Sequence, residues 1–206
     1  GALRAELVLG PAELGLGAVW QKGRRPRYGV DLSSAVGPVD LYAEAAFRSS
    51  GDFQVFSYPS DLSADNAVDN LLLGRITSHH PGNTTDGVIV QVSGGLSWQF
   101  NYTDKNSAIL GVEYFYNPVG YRDAIGYQVQ SFAPGFLGVA LDPIQSAPLY
   151  SGQHNLAVTL AAPGLPGADW ISASLSNIIV FNDPSALTRL DVTFRVLSYL
   201  SMQAFG

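Results

Sequence analysis

Apolar and polar residues alternate with a period of two along most of the chain, and the longest such run lies between Val88 and Asn117. Val88, Val90, Val92, Gly94, Leu96, Trp98, Phe100 and Tyr102 hold its even positions, against Ile89, Gln91, Ser93, Gly95, Ser97, Gln99 and Asn101 on the odd ones. Successive strand residues point to opposite faces, so this run predicts an extended strand with one oily and one wet face. Thr103-Asp104-Lys105-Asn106 supplies turn chemistry. The pattern then resumes, with Ala108, Leu110, Val112, Tyr114 and Tyr116 against Gly111, Glu113 and Asn117. The segment predicts a long β-hairpin whose apolar face carries aromatics at both ends.

The same alternation recurs on either side. Strand one sets Leu3, Ala5, Leu7 and Leu9 against Arg4 and Glu6, and strand two sets Leu14, Leu16, Ala18 and Trp20 against Glu13, Gly15 and Gly17. Strand three opposes Tyr28, Val30 and Leu32 to Asp31 and Ser33; strand four opposes Val39, Leu41, Ala43, Ala45 and Phe47 to Asp40, Tyr42, Glu44 and Arg48. Gly10-Pro11 and Gly37-Pro38 turn the chain at equivalent places, a weak internal repeat. After the organising hairpin, strands are predicted over about 154–162 and 170–179, the second with poor alternation. The next sets Leu190, Val192, Phe194 and Val196 against Arg189, Asp191, Thr193 and Arg195, and a last strand begins near Tyr199. Two long segments interrupt the series, 49–86 and 118–151. In the first, Ala64 to Leu73 predicts a short helix capped by Ser63.

An alternating strand also suits a soluble β-sandwich, which would hide the oily face in a core. Two features favour a membrane. Charges within each strand are separated by even numbers of residues, so none falls on the oily face, where a lysine or arginine at mid-bilayer costs about 2–4 kcal/mol. Short connections also mostly alternate with long ones, as periplasmic turns do with external loops. The expected fold is therefore all-β: an antiparallel up-and-down transmembrane β-barrel of about ten strands, or part of a larger one. It forms a single domain over 1–206, incomplete at both ends, with 49–86 and 118–151 as external loops. Trp20, Tyr28, Phe47, Tyr114 and Tyr116 would form an aromatic girdle at the outer interface and Trp98, Phe100 and Tyr102 another at the inner one.

Composition adds to this picture. Charged residues make up 14% of the chain, against about a quarter in soluble domains. The absence of cysteine excludes disulfides and thiolate metal sites. A formal charge of -6 argues against a nucleic-acid partner. No apolar run is long enough for a transmembrane helix, and Gly1-Ala2-Leu3-Arg4 is not an export signal.

The stretch Gly111-Val112-Glu113-Tyr114-Phe115-Tyr116-Asn117-Pro118-Val119-Gly120-Tyr121 resembles a recurrent segment of uncharacterised porin-like outer-membrane barrels of Gram-negative bacteria. So does Ser185 to Phe205, with Thr188 to Asp191 at its centre. The likeness is clearest over 85–205 and concerns strands and girdles, not catalysis. It implies the bacterial outer membrane and a chain corresponding to the C-terminal part of a larger barrel.

Catalytic signals are weak. His154 has Ser151 and Asn155 beside it, but strand neighbours point apart, which defeats a triad. His79, His80 and Asp86 do not form a structural zinc pattern. Gly94-Gly95 and Gly15/Gly17 are strand glycines that permit bending. No enzyme, metal or cofactor is expected. The basic loop Lys22, Arg24, Arg25 and Arg27 is expected to contact lipopolysaccharide phosphates, the competing reading being a solvated loop. Arg4, Glu6, Glu13, Asp31, Asp40, Glu44, Arg48, Glu113, Arg189, Asp191 and Arg195 are expected to line a lumen: four cations and seven anions. The expected function is passive diffusion of small polar solutes or ions, mildly cation-preferring. The alternatives are a non-conducting barrel that scaffolds an outer-membrane or periplasmic partner, such as a haem protein of an electron conduit, and a soluble β-sandwich binding domain.

Overall fold

The computed structural model describes residues 1–49, 55–63, 65–79, 87–104, 106–137, 152–197 and 200–206. Its main body is one antiparallel sheet of ten strands, each hydrogen-bonded to its neighbours along the chain. In chain order these are β1 (Ala2–Leu9), β2 (Ala12–Val19), β3 (Arg27–Val36), β4 (Val39–Ser49), β7 (Val88–Asn101), β8 (Ser107–Tyr116), β9 (His154–Ala162), β10 (Ile171–Val180), β11 (Ser185–Leu197) and β12 (Leu200–Phe205). β1 and β12 are the edges and do not pair with each other among the described residues.

Between β4 and β7 lie β5 (Val55–Ser57), helix α1 (Ala67–Leu72) and β6 (Thr77–His79), and β5 pairs with β6 in a separate small sheet. Helix α2 (Ala124–Leu137) follows β8. The main sheet has the ten strands expected, and among the described residues the 49–86 segment adds one short pair of its own. Helix α1 is shorter than the Ala64–Leu73 expectation and begins after Asn66, not Ser63. The Ser63 amide instead donates to Asn66 Oδ1 at 2.8 Å. Helix α2 lies in the segment 118–151, expected to be an external loop.

The tight turns have a local cause. Gly10 and Gly37 adopt φ of 63° and 61°, and each precedes a proline in a two-residue hairpin loop. A left-handed first position followed by a fixed negative φ is the type II′ arrangement, which matches the twist of paired strands. Gly10-Pro11, Gly37-Pro38, the turn between β7 and β8 and 163–170 lie at one end of the sheet; the loop 20–26 and the turn 181–184 lie at the other, where β4 and β8 end and β7 and β9 begin.

The register sorts every main-sheet strand into the same two faces. One face carries no charged residue among those described. Leu3, Leu7, Leu16, Leu32, Leu41, Leu160, Leu175 and Leu190 stand exposed on it, and no second layer of described residues covers it. Leu96 and Leu110 are half-buried there and Trp98 is 40% exposed. The poor alternation of β10 also resolves. Asn177 falls on the apolar face and donates to Thr188 Oγ1, its register partner on β11. The bond pairs the Asn177 amide nitrogen with the Thr188 hydroxyl across the strands, while Asn177 Oδ1 is buried without a hydrogen-bond partner among the described residues.

The buried apolar cluster sits elsewhere. Leu62, Ala67, Leu71, Ile76 and Val129 form it, with Phe56, Tyr58, Ile125 and Phe132 packed around. The described residues 56–76 and 125–132 therefore pack on one another as a small cap at the loop end.

Candidate functional site

The opposite, polar face is the candidate site. Arg4, Glu6, Glu13, Asp31, Asp40, Glu44, Arg48, Glu113, Arg189, Asp191 and Arg195 all lie on it by register. Some of these charges cancel locally. Arg4 donates to Glu6 at 2.7 Å and, through both terminal nitrogens, to Asp31 at 2.9 and 3.1 Å. Arg189 donates to Asp191 at 2.7 Å. A hollow of about 330 Å³ lies between Arg4, Asp31, Glu44, Gln91, Ser93 and Phe115.

Glycines let side chains meet across an intervening strand. Strands two apart are separated by roughly 9.5 Å, too far for a carboxylate and a guanidinium unless the residue between has no side chain. Gly15 lies between Glu6 and Asp31, and a Cβ on it would fall 2.1 Å from Asp31 Oδ2. Gly95 lies between Tyr42 and Glu113, and a Cβ there would fall 2.7 Å from the Tyr42 hydroxyl. The Tyr42 hydroxyl donates a short hydrogen bond to Glu113 Oε2. The expected role of Gly15 and Gly95 as sites of bending gives way to this one: they are passages for side chains.

At the loop end the polar face is roofed. Arg48, Gln91, Asn117 and Asn155 are buried, and Gln91 donates to Asn117 Oδ1 at 3.1 Å. Residues 117–121 fold back so that Gly120 crosses Gly152; a Cβ on Gly120 would lie 2.4 Å from the Gly152 carbonyl carbon. Buried Tyr121 reaches the turn after β10, donating to Asp183 Oδ2 at 3.1 Å. It also meets Tyr127 of α2 edge-on, with ring centroids 5.4 Å apart. Burial pushes the Tyr58 phenol above its ordinary value, and the charge and hydrogen bond of nearby Asp123 add to the effect.

The aromatics fall at the two ends of the apolar face. Trp20, Tyr28, Phe47, Tyr114 and Tyr116 are at the loop end; Trp98, Phe100 and Tyr102 are at the turn end, where Trp98 and Phe100 lie 4.8 Å apart. Trp170 and Phe194, 6.1 Å apart, extend the turn-end group. His154 is on the apolar face, hydrogen-bonded through Nδ1 to the Tyr114 hydroxyl at 2.6 Å, while Asn155 points to the polar face. Ser151, His80 and Asp86 lie outside the described residues. No cluster of three metal-ligating acids or histidines occurs among those described.

The basic loop divides. Arg25 donates to Ser49 Oγ at 3.1 Å, and Arg27 opens β3 on the polar face, half-buried. Lys22 and Arg24 stand exposed in the turn.

Sequence reasoning passed over Tyr42, Gln91, Asn155 and Tyr121 as site residues; the wet-face period placed the first two, but nothing in it marked their contacts. Compared with known proteins, the chain matches no family model, no curated protein and no solved structure.

Proposed function

We propose that lipid hydrocarbon covers the apolar face and that the sheet is the wall of a bacterial outer-membrane β-barrel. In this reading the polar face lines the lumen and small polar solutes or ions diffuse through it, with a mild preference for cations. One observation carries the reading: an apolar face, uncharged and uncovered among the described residues, spans the sheet and bears aromatics at both ends. Exposed apolar patches on soluble monomers rarely exceed a few hundred Å². Strands of 8–14 residues, β12 excepted, bracket the 9–11 needed for a tilted crossing.

Unpaired backbone groups in hydrocarbon cost several kcal/mol each, so the edges must be paired in the membrane. In this meander β1 and β12 run antiparallel, which suits closure upon each other or through an even number of further strands. In this reading Lys22 and Arg24, exposed in the loop beside Trp20 and Tyr28, contact lipopolysaccharide phosphates.

The roof over the loop end favours a second reading, a sealed barrel that sheathes or scaffolds a partner protein. Liposome swelling separates the two. The channel reading requires swelling in small sugars or salts. Impermeable liposomes, together with a co-purifying coloured partner, would support the sheath.

A further inference from the structure

We infer that Glu113 is the carboxylate that sets cation preference in the lumen and that Tyr42 is its positioning residue. This inference rests on the channel reading above. Across β7, β8, β9 and β10, Glu113 is the only charged residue on the polar face among those described. Its neighbours in register are Gly95 and Ala157. Both of these cross-strand partners are small, and the carboxylate is half-exposed.

The identity of its partner matters most. Glu6, Asp31 and Asp191 are held by arginines, which cancel their charge. Glu113 is held by a phenol. A neutral donor fixes the carboxylate's orientation and leaves its full negative charge facing solvent. Low-dielectric hydrocarbon behind the wall concentrates that field into the aqueous lumen, where a passing cation is attracted and an anion repelled. Gly95 is the third part of the device, since any side chain there would displace the Tyr42 ring.

The test uses the full chain in planar bilayers under a potassium chloride gradient. Glu113→Gln is expected to lower the cation-to-anion permeability ratio at least about twofold with single-channel conductance little changed. Asp40→Asn removes the same charge near the turn end and is expected to shift the ratio less. Tyr42→Phe keeps the charge but frees the carboxylate, and is expected to give an intermediate ratio with unchanged heat-modifiable migration. Equal shifts for Glu113→Gln and Asp40→Asn, or none for Glu113→Gln, would overturn this inference and leave the channel standing. A wild-type protein that does not conduct would overturn the channel reading and this inference with it.

Discussion

Gly94 and Gly95 are adjacent in β7, yet alanine at the two positions is expected to have opposite effects. A Cβ on Gly95 would lie 2.5 Å from the Val112 carbonyl oxygen and 2.7 Å from the Tyr42 hydroxyl. The first contact is with backbone of a paired strand and cannot be relieved by a rotamer change. Forcing a methyl into such a site costs about 1–3 kcal/mol. Displacing Tyr42 also breaks its bond to the Glu113 carboxylate, and hydrogen bonds to charged groups are worth about 1.5–3 kcal/mol. Together these put Gly95→Ala at about 2.5–6 kcal/mol of destabilisation. At Gly94 the nearest atom to a Cβ is 3.5 Å away, an ordinary contact. There alanine restricts the unfolded chain and stabilises by about 0.5–1 kcal/mol. Gly111→Ala is a control, its nearest neighbour being Thr159 at 4.0 Å. Guanidinium titration in detergent micelles, followed through tryptophan emission, measures all three. Stabilities for the Gly94 and Gly95 variants within about 1 kcal/mol of each other would refute the passage role assigned to Gly95.

Other expectations concern the cap and the rim. Gly120→Ala drives a methyl against the Gly152 backbone, so the roof should lift and single-channel conductance rise; unchanged conductance would show that the roof is not the narrow point. The Tyr58 phenol is raised when folded, so its contribution to the cap is full below about pH 10 and lost as pH climbs through the raised value. Cleavage of the cap by an alkali-tolerant protease should rise there, and Tyr58→Phe should remove the step. Reversing Lys22 and Arg24 should cost most of the lipopolysaccharide retained in detergent, with little more lost when Arg25 and Arg27 follow; full retention in the fourfold variant would exclude the rim contact.

The strands were legible because period-two alternation is local, and β10 read poorly because Asn177 sits on the oily face while Ile178 and Val180 fall on the polar one. Which residues touch was not legible. Tyr42 and Glu113 are 71 positions apart, and their meeting depends on two strand registers and a glycine between. Helix α2 escaped notice because Gly126, Pro134 and Gly135 are poor helix formers. Its helical signal lies in Ile125, Val129 and Phe132, spaced to line one face, and they pack into the cap cluster. Tertiary burial outweighs propensity there.

The account turns on what covers the apolar face, and the cysteine-free chain suits single-cysteine nitroxide labelling. Labels at Leu110→Cys and Leu175→Cys, with Gly111→Cys and Ser174→Cys on the polar face, would be placed in protein reconstituted into liposomes. Relaxation by membrane-dissolved oxygen is expected to dominate at 110 and 175, and relaxation by a water-soluble nickel complex at 111 and 174. Labels at 110 and 175 shielded from both reagents, in a protein that stays monodisperse without detergent, would contradict it.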